Sequence, residues 1–284
     1  MSVAAKIKLF HRSLMAMNTQ LDVIFWGSTS EICEAAFIEI QGVLQHWELI
    51  LSRYHRQAEV FDLNNSPKNK AVKISSGLFR ALELAQQFHS DTKGYFDIRL
   101  GNTYHEIKHG REAFDKPARP YHESLLLDKT MQTVTITDPA VSLDFGGMGK
   151  GLALNDIATC IDSFSINNAF ISFGGSAVLT RGSHPHGSYW RFSLSEAYGN
   201  SGKSWQLNNH AVSVSSSKRK QSHLVENHIF NPQENEIVNT SKTVIIINNE
   251  PTEAEVLSTA LLAAPQKQHP AIIAQFKECT IDII

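Results

Sequence analysis

The stretch "SLDFGGMGKGLALNDIA" (Ser142–Ala158) sets a carboxylate, four glycines and a lysine directly before a helical pattern. Two nucleotide motifs fail on spacing. A Walker loop, G-x-x-x-x-G-K-[ST], needs a hydroxyl after its lysine, and here Lys150 is followed by Gly151. A Rossmann fingerprint, G-x-G-x-x-G, would need glycine where Leu152 stands. The physics behind both motifs survives. Glycines entering a helix allow close backbone approach, and free amides at the positive end of the helix dipole favour an anion. Lys150 would add a point charge to the same group. The competing reading is a glycine-rich turn from strand to helix that binds nothing. This stretch alone leaves both open.

Outward from the bend, the pattern predicts an α+β chain. Upstream, "QLDVIFWG" (Gln20–Gly27) has the β-branched and aromatic content of a strand. From Thr29 to about Leu51 apolar residues recur at helical spacing, with Ile32, Ala36, Ile40, Val43 and Trp47 on one side. "SRYHRQAEVFDLNNSP" reads as irregular. A second helix starts with Ser75 or Ser76 as N-cap and buries Leu78, Leu82, Ala85 and Phe88. "YFDIRL" reads as a strand, and residues 102–123 as a long connection or lobe boundary.

"SLLLD", "TVTI" and "AVSLDF" are expected as short strands ahead of a helix from about Lys150 to Ile161. "NAFISFGGSAVLTRG" is expected as strand, glycine turn and strand, followed by strands at "YWRFSLS", "HAVSVSS" and "KTVIIIN". "PTEAEVLSTALLAAP" is expected as a helix. Strands outnumber helices without regular alternation, which favours α+β over a doubly wound sheet.

Composition narrows the class. At 284 residues the chain is long enough for one large domain or two small ones with ample material for a core, and 42% hydrophobic with 19% charged residues is ordinary for a globular protein. A formal net charge of −2 gives no whole-molecule field for nucleic acid or an anionic membrane. The scattered Cys33, Cys160 and Cys279 make neither a metal cluster nor a disulfide framework. With no signal-like segment at the start and no apolar run of membrane-spanning length, a cytoplasmic location is expected.

Further stretches change the weight of the glycine bend. "MNT" (Met17–Thr19) resembles M-G-T, "LSRYHRQAEVFDLN" a segment running from Ser and an aromatic to Leu-Asn, and "DTKGYFDIRLG" the element T-x-G-x-F-D. "LDFGGMGKGLALND" is similar to D-L-G-G-[IM]-A-K-G-x-A-x-D. "NAFISFGGSAVLTRG", "HIFNP" and "AEVLSTALL" resemble N-x-G-G, H-I-x-D-P and A-D-x-x-S-T-A-L. In that order, over Met17 to Leu262, they resemble the ApbE-like family of FAD:protein FMN transferases.

The resemblance implies a T-fold-like α+β architecture. It has mixed and antiparallel sheets with packed helices, forming a single domain over residues 1–284 with two lobes around a flavin cleft. It implies Mg²⁺-dependent transfer of the FMN half of FAD to a Thr or Ser hydroxyl of an acceptor protein, with release of AMP. FAD binding would fall to Met17, Tyr54, Tyr95, Phe96, Asp97, Asp144, Lys150 and Ile229. Metal binding would fall to Gly147, Glu255, Ser258 and Thr259, and catalysis to His228 and Asp144. Neither nucleic acid nor membrane insertion is implied.

Each residue also has a plain structural reading. Thr252-x-x-Glu255 is a capping box that would fully account for the glutamate. Asp144 could bond local backbone, and the aromatics could be core. The chain departs from the family pattern at Asn18, at Asn231, in the "QENE" that follows, and at Glu255, where Glu stands for Asp. An FAD-binding protein without transfer, an FAD pyrophosphatase and a purely structural domain are the rival functions.

Overall fold

A computed structural model describes residues 8–108, 119–194, 202–217, 219–221, 224–226 and 229–284. The chain opens with β1 (Leu9–Ala16) and β2 (Thr19–Trp26), then α1 (Ser30–Leu51), α2 (Glu59–Asn64), β3 (Ala71–Lys73) and α3 (Ser76–Asp91). Next come α4 (Gly101–Lys108), α5 (Tyr121–Ser124), β4 (Leu125–Asp128), β5 (Thr133–Ile136) and α6 (Gly149–Ser163). The second half holds β6 (Ala169–Phe173), β7 (Ala177–Arg181), β8 (Trp190–Ser193), β9 (Ser204–Leu207) and β10 (Ala211–Ser216). It continues with β11 (Arg219–Gln221), β12 (Leu224–Glu226), β13 (Phe230–Asn231), β14 (Glu236–Ile237) and β15 (Thr243–Asn248). It closes with α7 (Pro251–Ala263), α8 (His269–Ile273) and β16 (Thr280–Ile283).

Among the described residues seven strands form one antiparallel sheet in the order β1-β2-β6-β7-β10-β15-β16. The helices α1, α6 and α7 cover one face, and the β8–β9 hairpin lies against the other. Strand β15 shows why its run is solidly apolar: Val244 and Ile246 face α7, while Ile245 and Ile247 face the hairpin side. A strand buried on both faces loses the polar alternation of a half-exposed one. A separate sheet, β3-β5-β4, packs with α3 against the same core as α1 and α6. This mixed architecture with antiparallel sheets bears out the α+β expectation. Among the described residues no helix is long and apolar enough to cross a membrane.

Both long early helices start where their caps dictate. Thr29 accepts the Ile32 amide at 3.4 Å, and Ser75 accepts the Leu78 amide at 3.1 Å. The α3 face is as expected, with Leu78, Leu82, Ala85 and Phe88 buried. The α1 face is rotated. Ala36, Ile40 and Trp47 are buried, but Cys33 and Leu44 replace Ile32 and Val43 on the inner stripe. Gly42 lies exposed on α1 with open space around its missing Cβ. Gly42→Ala should therefore stabilise the fold by about 0.5–1 kcal/mol, read as a rise in midpoint in urea unfolding.

Four local expectations are corrected. "YFDIRL" is a chain of turns rather than a strand, because the Asp97 carboxylate takes the Arg99 amide at 2.9 Å and curls the backbone. "AVSLDF" is extended only as far as one isolated bridge between Leu100 and Ser142. The irregular segment after α1 contains α2, and the expected connection at 102–123 begins inside α4.

Candidate functional site

A cavity of about 840 Å³ opens beside the glycine bend. That is within the usual range for a small-molecule or cofactor site, and roomy enough for a dinucleotide. Its walls come from the β1–β2 turn, the end of α1, the Tyr95–Gly101 segment, the glycine bend, β10, the β13 approach and α7.

The bend and α7 are joined by two very close approaches. A Cβ on Gly151 would lie 2.5 Å from Thr252 Cα and 2.9 Å from the Pro251 carbonyl, so only glycine lets the starts of α6 and α7 touch. A Cβ on Gly147 would meet Phe96 Cε2 at 3.0 Å and Thr259 Cγ2 at 3.7 Å. The turn that begins α6 is thus pressed between Phe96 and α7.

Glu255 is the centre of this contact. It is 4% exposed, and its Oε2 accepts the Gly151 amide at 2.7 Å. Its Oε1 touches the Lys150 ammonium in an ion pair but makes no hydrogen bond of ordinary geometry. The two observations agree if that contact is a charge pair with poor alignment, leaving Oε1 short of a ligand. The capping box does not form. Helix α7 starts one residue before Thr252, at Pro251 with Glu250 as N-cap, and the Thr252 hydroxyl accepts from Asn155 Nδ2 at 3.1 Å. Glu255 therefore faces the bend, not its own helix start. Thr259, one turn on, lines the cavity with its hydroxyl 3.4 Å from Ser215 Oγ.

Ser258 is not brought to the cavity. It is fully buried, with its Oγ 2.9 Å and 2.8 Å from the hydroxyls of Ser213 and Ser215, where it rivets α7 to β10. Its expected place among metal ligands is corrected on that ground. Glu255, Thr259 and the Gly147 backbone offer only hard oxygen donors beside a space shared with Lys150. That donor chemistry fits Mg²⁺, which accepts few protein ligands and completes its shell with phosphate and water. Among the described residues no group of three or more His, Cys, Asp or Glu could hold a metal by itself.

The other expected residues reach the cavity wall with unequal freedom. Met17 and Asn18 form a two-residue hairpin turn, both left-handed at φ 49° and 62°. Asparagine tolerates that region, so Asn18 can stand where the resembling pattern has glycine. Met17 Cε lies 3.3 Å from where a Cβ on Gly149 would be, so its side chain packs on the bend. Tyr54 is 61% exposed at the rim. Tyr95, Phe96 and Ile229 supply apolar wall. The Asp97 carboxylate is taken up by Arg99, at 3.0 Å from Nε and 2.7 Å from Nη2, so this residue shapes the wall from behind. Asp144 lines the cavity, with Oδ1 accepting the Gly146 amide at 2.8 Å. His228 lies outside the described residues.

Two departures in the segment after His228 are structurally absorbed. Asn231 Oδ1 accepts the amides of Gln233 at 2.9 Å and Glu234 at 3.3 Å, as a carboxylate would at an Asx turn. Asn235, at φ 62°, supplies the left-handed residue expected of a Thr-Gly turn. Sequence reasoning missed Arg53, Asn102 and Ser215. For Ser215 a signal existed, since Ser213 and Ser215 alternate on β10 and so share one face.

Comparison with known proteins gives the family and the fold. Residues 17–282 match the ApbE family. An FAD:protein FMN transferase of Chlamydia trachomatis is 28% identical over 246 residues, covering 81% of this chain and 76% of the relative. The flavin transferase ApbE of Vibrio cholerae superposes with a TM-score of 0.78 at 18% identity, covering 98% of this chain and 93% of that one. The ApbE protein of Thermotoga maritima gives 0.80 at 20% identity, covering 94% and 90%.

Proposed function

Because the chain belongs to the ApbE family, we propose that it is an FAD:protein FMN transferase, acting as a single domain on a Thr or Ser hydroxyl of an acceptor protein. The observation that carries the reading is the meeting of the glycine bend with the Glu255–Thr259 face of α7 in one cavity.

The reaction displaces AMP from FAD. The acceptor oxygen forms a bond to the FMN phosphorus, the bond from that phosphorus to the bridging oxygen breaks, AMP leaves with that oxygen, and the hydroxyl proton passes to a base. The demands are charge neutralisation on the diphosphate, an in-line hydroxyl and a proton acceptor. The Lys150 ammonium and the side-chain-free backbone of the glycine bend meet the phosphates, while the Met148 and Gly149 amides stay on the Phe145 carbonyl and the Gly151 amide on Glu255. Glu255 and Thr259, with the Gly147 carbonyl, would hold Mg²⁺, which would supply positive charge beside the diphosphate. Tyr54, Met17, Tyr95, Phe96 and Ile229 enclose the flavin and adenosine. His228 takes the proton, since its intrinsic pKa lies near neutrality, and Asp144 orients the bend beside the reacting phosphate.

The test is direct. Purified protein, FAD, Mg²⁺ and a Thr-containing acceptor domain are incubated, and AMP release and acceptor mass are followed. An acceptor heavier by one FMN moiety, in step with AMP, is the expected result. AMP with free FMN and unmodified acceptor would instead mark a pyrophosphatase. Tight FAD binding with neither product would mark a carrier.

A further inference from the structure

Asp144 poses a physical problem. Its carboxylate stands just before the bend proposed to receive a diphosphate, and like charges at such short range repel. Arg53 answers it. From the end of α1 its Nη1 donates to Asp144 Oδ2 at 3.2 Å, and its Nη2 donates to Asn102 Oδ1 at 2.9 Å. The side chain is only 10% exposed although it lines the cavity. Its Cζ lies 5.4 Å from the Tyr54 ring centroid. Gly101 leaves room for it, since any Cβ there would overlap Nη1. Asp144 is equally fixed. Its own amide donates to the Ile98 carbonyl at 2.7 Å, and its Oδ1 receives the Gly146 amide at 2.8 Å. A guanidinium so enclosed, on a carboxylate that in turn holds the bend, forms an unbroken chain from α1 to the bend.

We propose that Arg53 is a positioning residue for the dinucleotide diphosphate. It cancels the Asp144 charge and, through Asp144, aims the Gly146–Gly147 backbone at the phosphates. This inference rests on the flavin-transfer reading above. It separates Arg53 from a residue that merely stacks on the flavin ring, because its effect follows the phosphates and depends on Asp144.

The experiment measures FAD and riboflavin affinities of the whole protein by calorimetry, alongside thermal melting. Arg53→Met should weaken FAD by roughly tenfold or more, through the uncompensated carboxylate, while riboflavin, which has no phosphate, changes by less than about threefold. Arg53→Lys, which keeps the charge but not the fork that reaches both Asp144 and Asn102, should weaken FAD by less than Arg53→Met does. Arg53→Met with Asp144→Asn should bind FAD more tightly than Arg53→Met alone, because the offending charge is gone. If Arg53→Met melts early, Arg53→Gln, which is neutral but keeps a polar end, carries the same comparison. Unchanged FAD affinity, equal losses for FAD and riboflavin, or a double variant weaker than the single would each overturn the proposal. Wild-type protein that fails to bind FAD would overturn the transferase reading itself, and this inference with it.

Discussion

Glu255→Gln is expected to lower Mg²⁺-dependent transfer of FMN by about a thousandfold, close to 4 kcal/mol of transition-state stabilisation. The substitution keeps volume and leaves an amide oxygen for the Gly151 N–H, which now donates to Oε2 at 2.7 Å. It removes the one charge on the buried α7 face that can hold a divalent cation, and it strands the Lys150 ammonium beside a neutral group. Glu255→Asp, which restores the charge one methylene shorter, should recover activity to within about tenfold. AMP release at saturating Mg²⁺ is the measurement, with melting curves to show that both variants are folded. Turnover of Glu255→Gln within a few-fold of wild type would exclude Glu255 as the metal-holding residue.

The second large effect is structural. In Gly151→Ala the new methyl would lie 2.5 Å from Thr252 Cα and 2.9 Å from the Pro251 carbonyl, both backbone atoms that cannot rotate away. The α6–α7 contact must open, at a cost of about 3 kcal/mol, and the melting temperature should fall by roughly 6–12 °C. The same opening would pull the Glu255 carboxylate off the Gly151 amide, so Mg²⁺ binding should weaken together with stability. Gly175→Ala is the comparison. Its φ of +73° disfavours a side chain, but nothing lies within 4 Å of the new methyl, so it should cost only about 1 kcal/mol. Equal melting temperatures for the two variants would mean that the helix approach is not as tight as the geometry says.

Legibility followed the range of the interactions. Helices α1 and α3 were readable because their apolar periodicity and N-caps lie within a few residues of one another, and α7 because Pro251 and Pro265 bound it. The β6–β7 hairpin was readable from its glycine turn. Edge strand β1 was not, because most of its residues are exposed and polar side chains interrupt its apolar ones. "YFDIRL" has strand propensity that loses to a side-chain contact, the Asp97–Arg99 chelate, which only a turn allows. In the site, the bend and α7 stood out as dense local motifs. The Arg53–Asp144 pair spans 91 residues and the Ser215–Thr259 contact spans 44, and neither has a local signature.

Glu255 shows the division most clearly. By itself the sequence determined that a glutamate sits near the start of a helix, and that a glycine-rich bend with a lysine opens another. Whether that carboxylate would cap its own helix or serve a site was undecided, because both uses satisfy the same four-residue spacing. The tertiary structure decided it. Helix α7 begins at Pro251, Thr252 turns to Asn155, and the absence of a side chain at Gly151 lets the two helix starts come into contact. A buried carboxylate takes whichever donors lie within reach, and here the nearer ones, the Gly151 amide and the Lys150 ammonium, come from another segment of the chain.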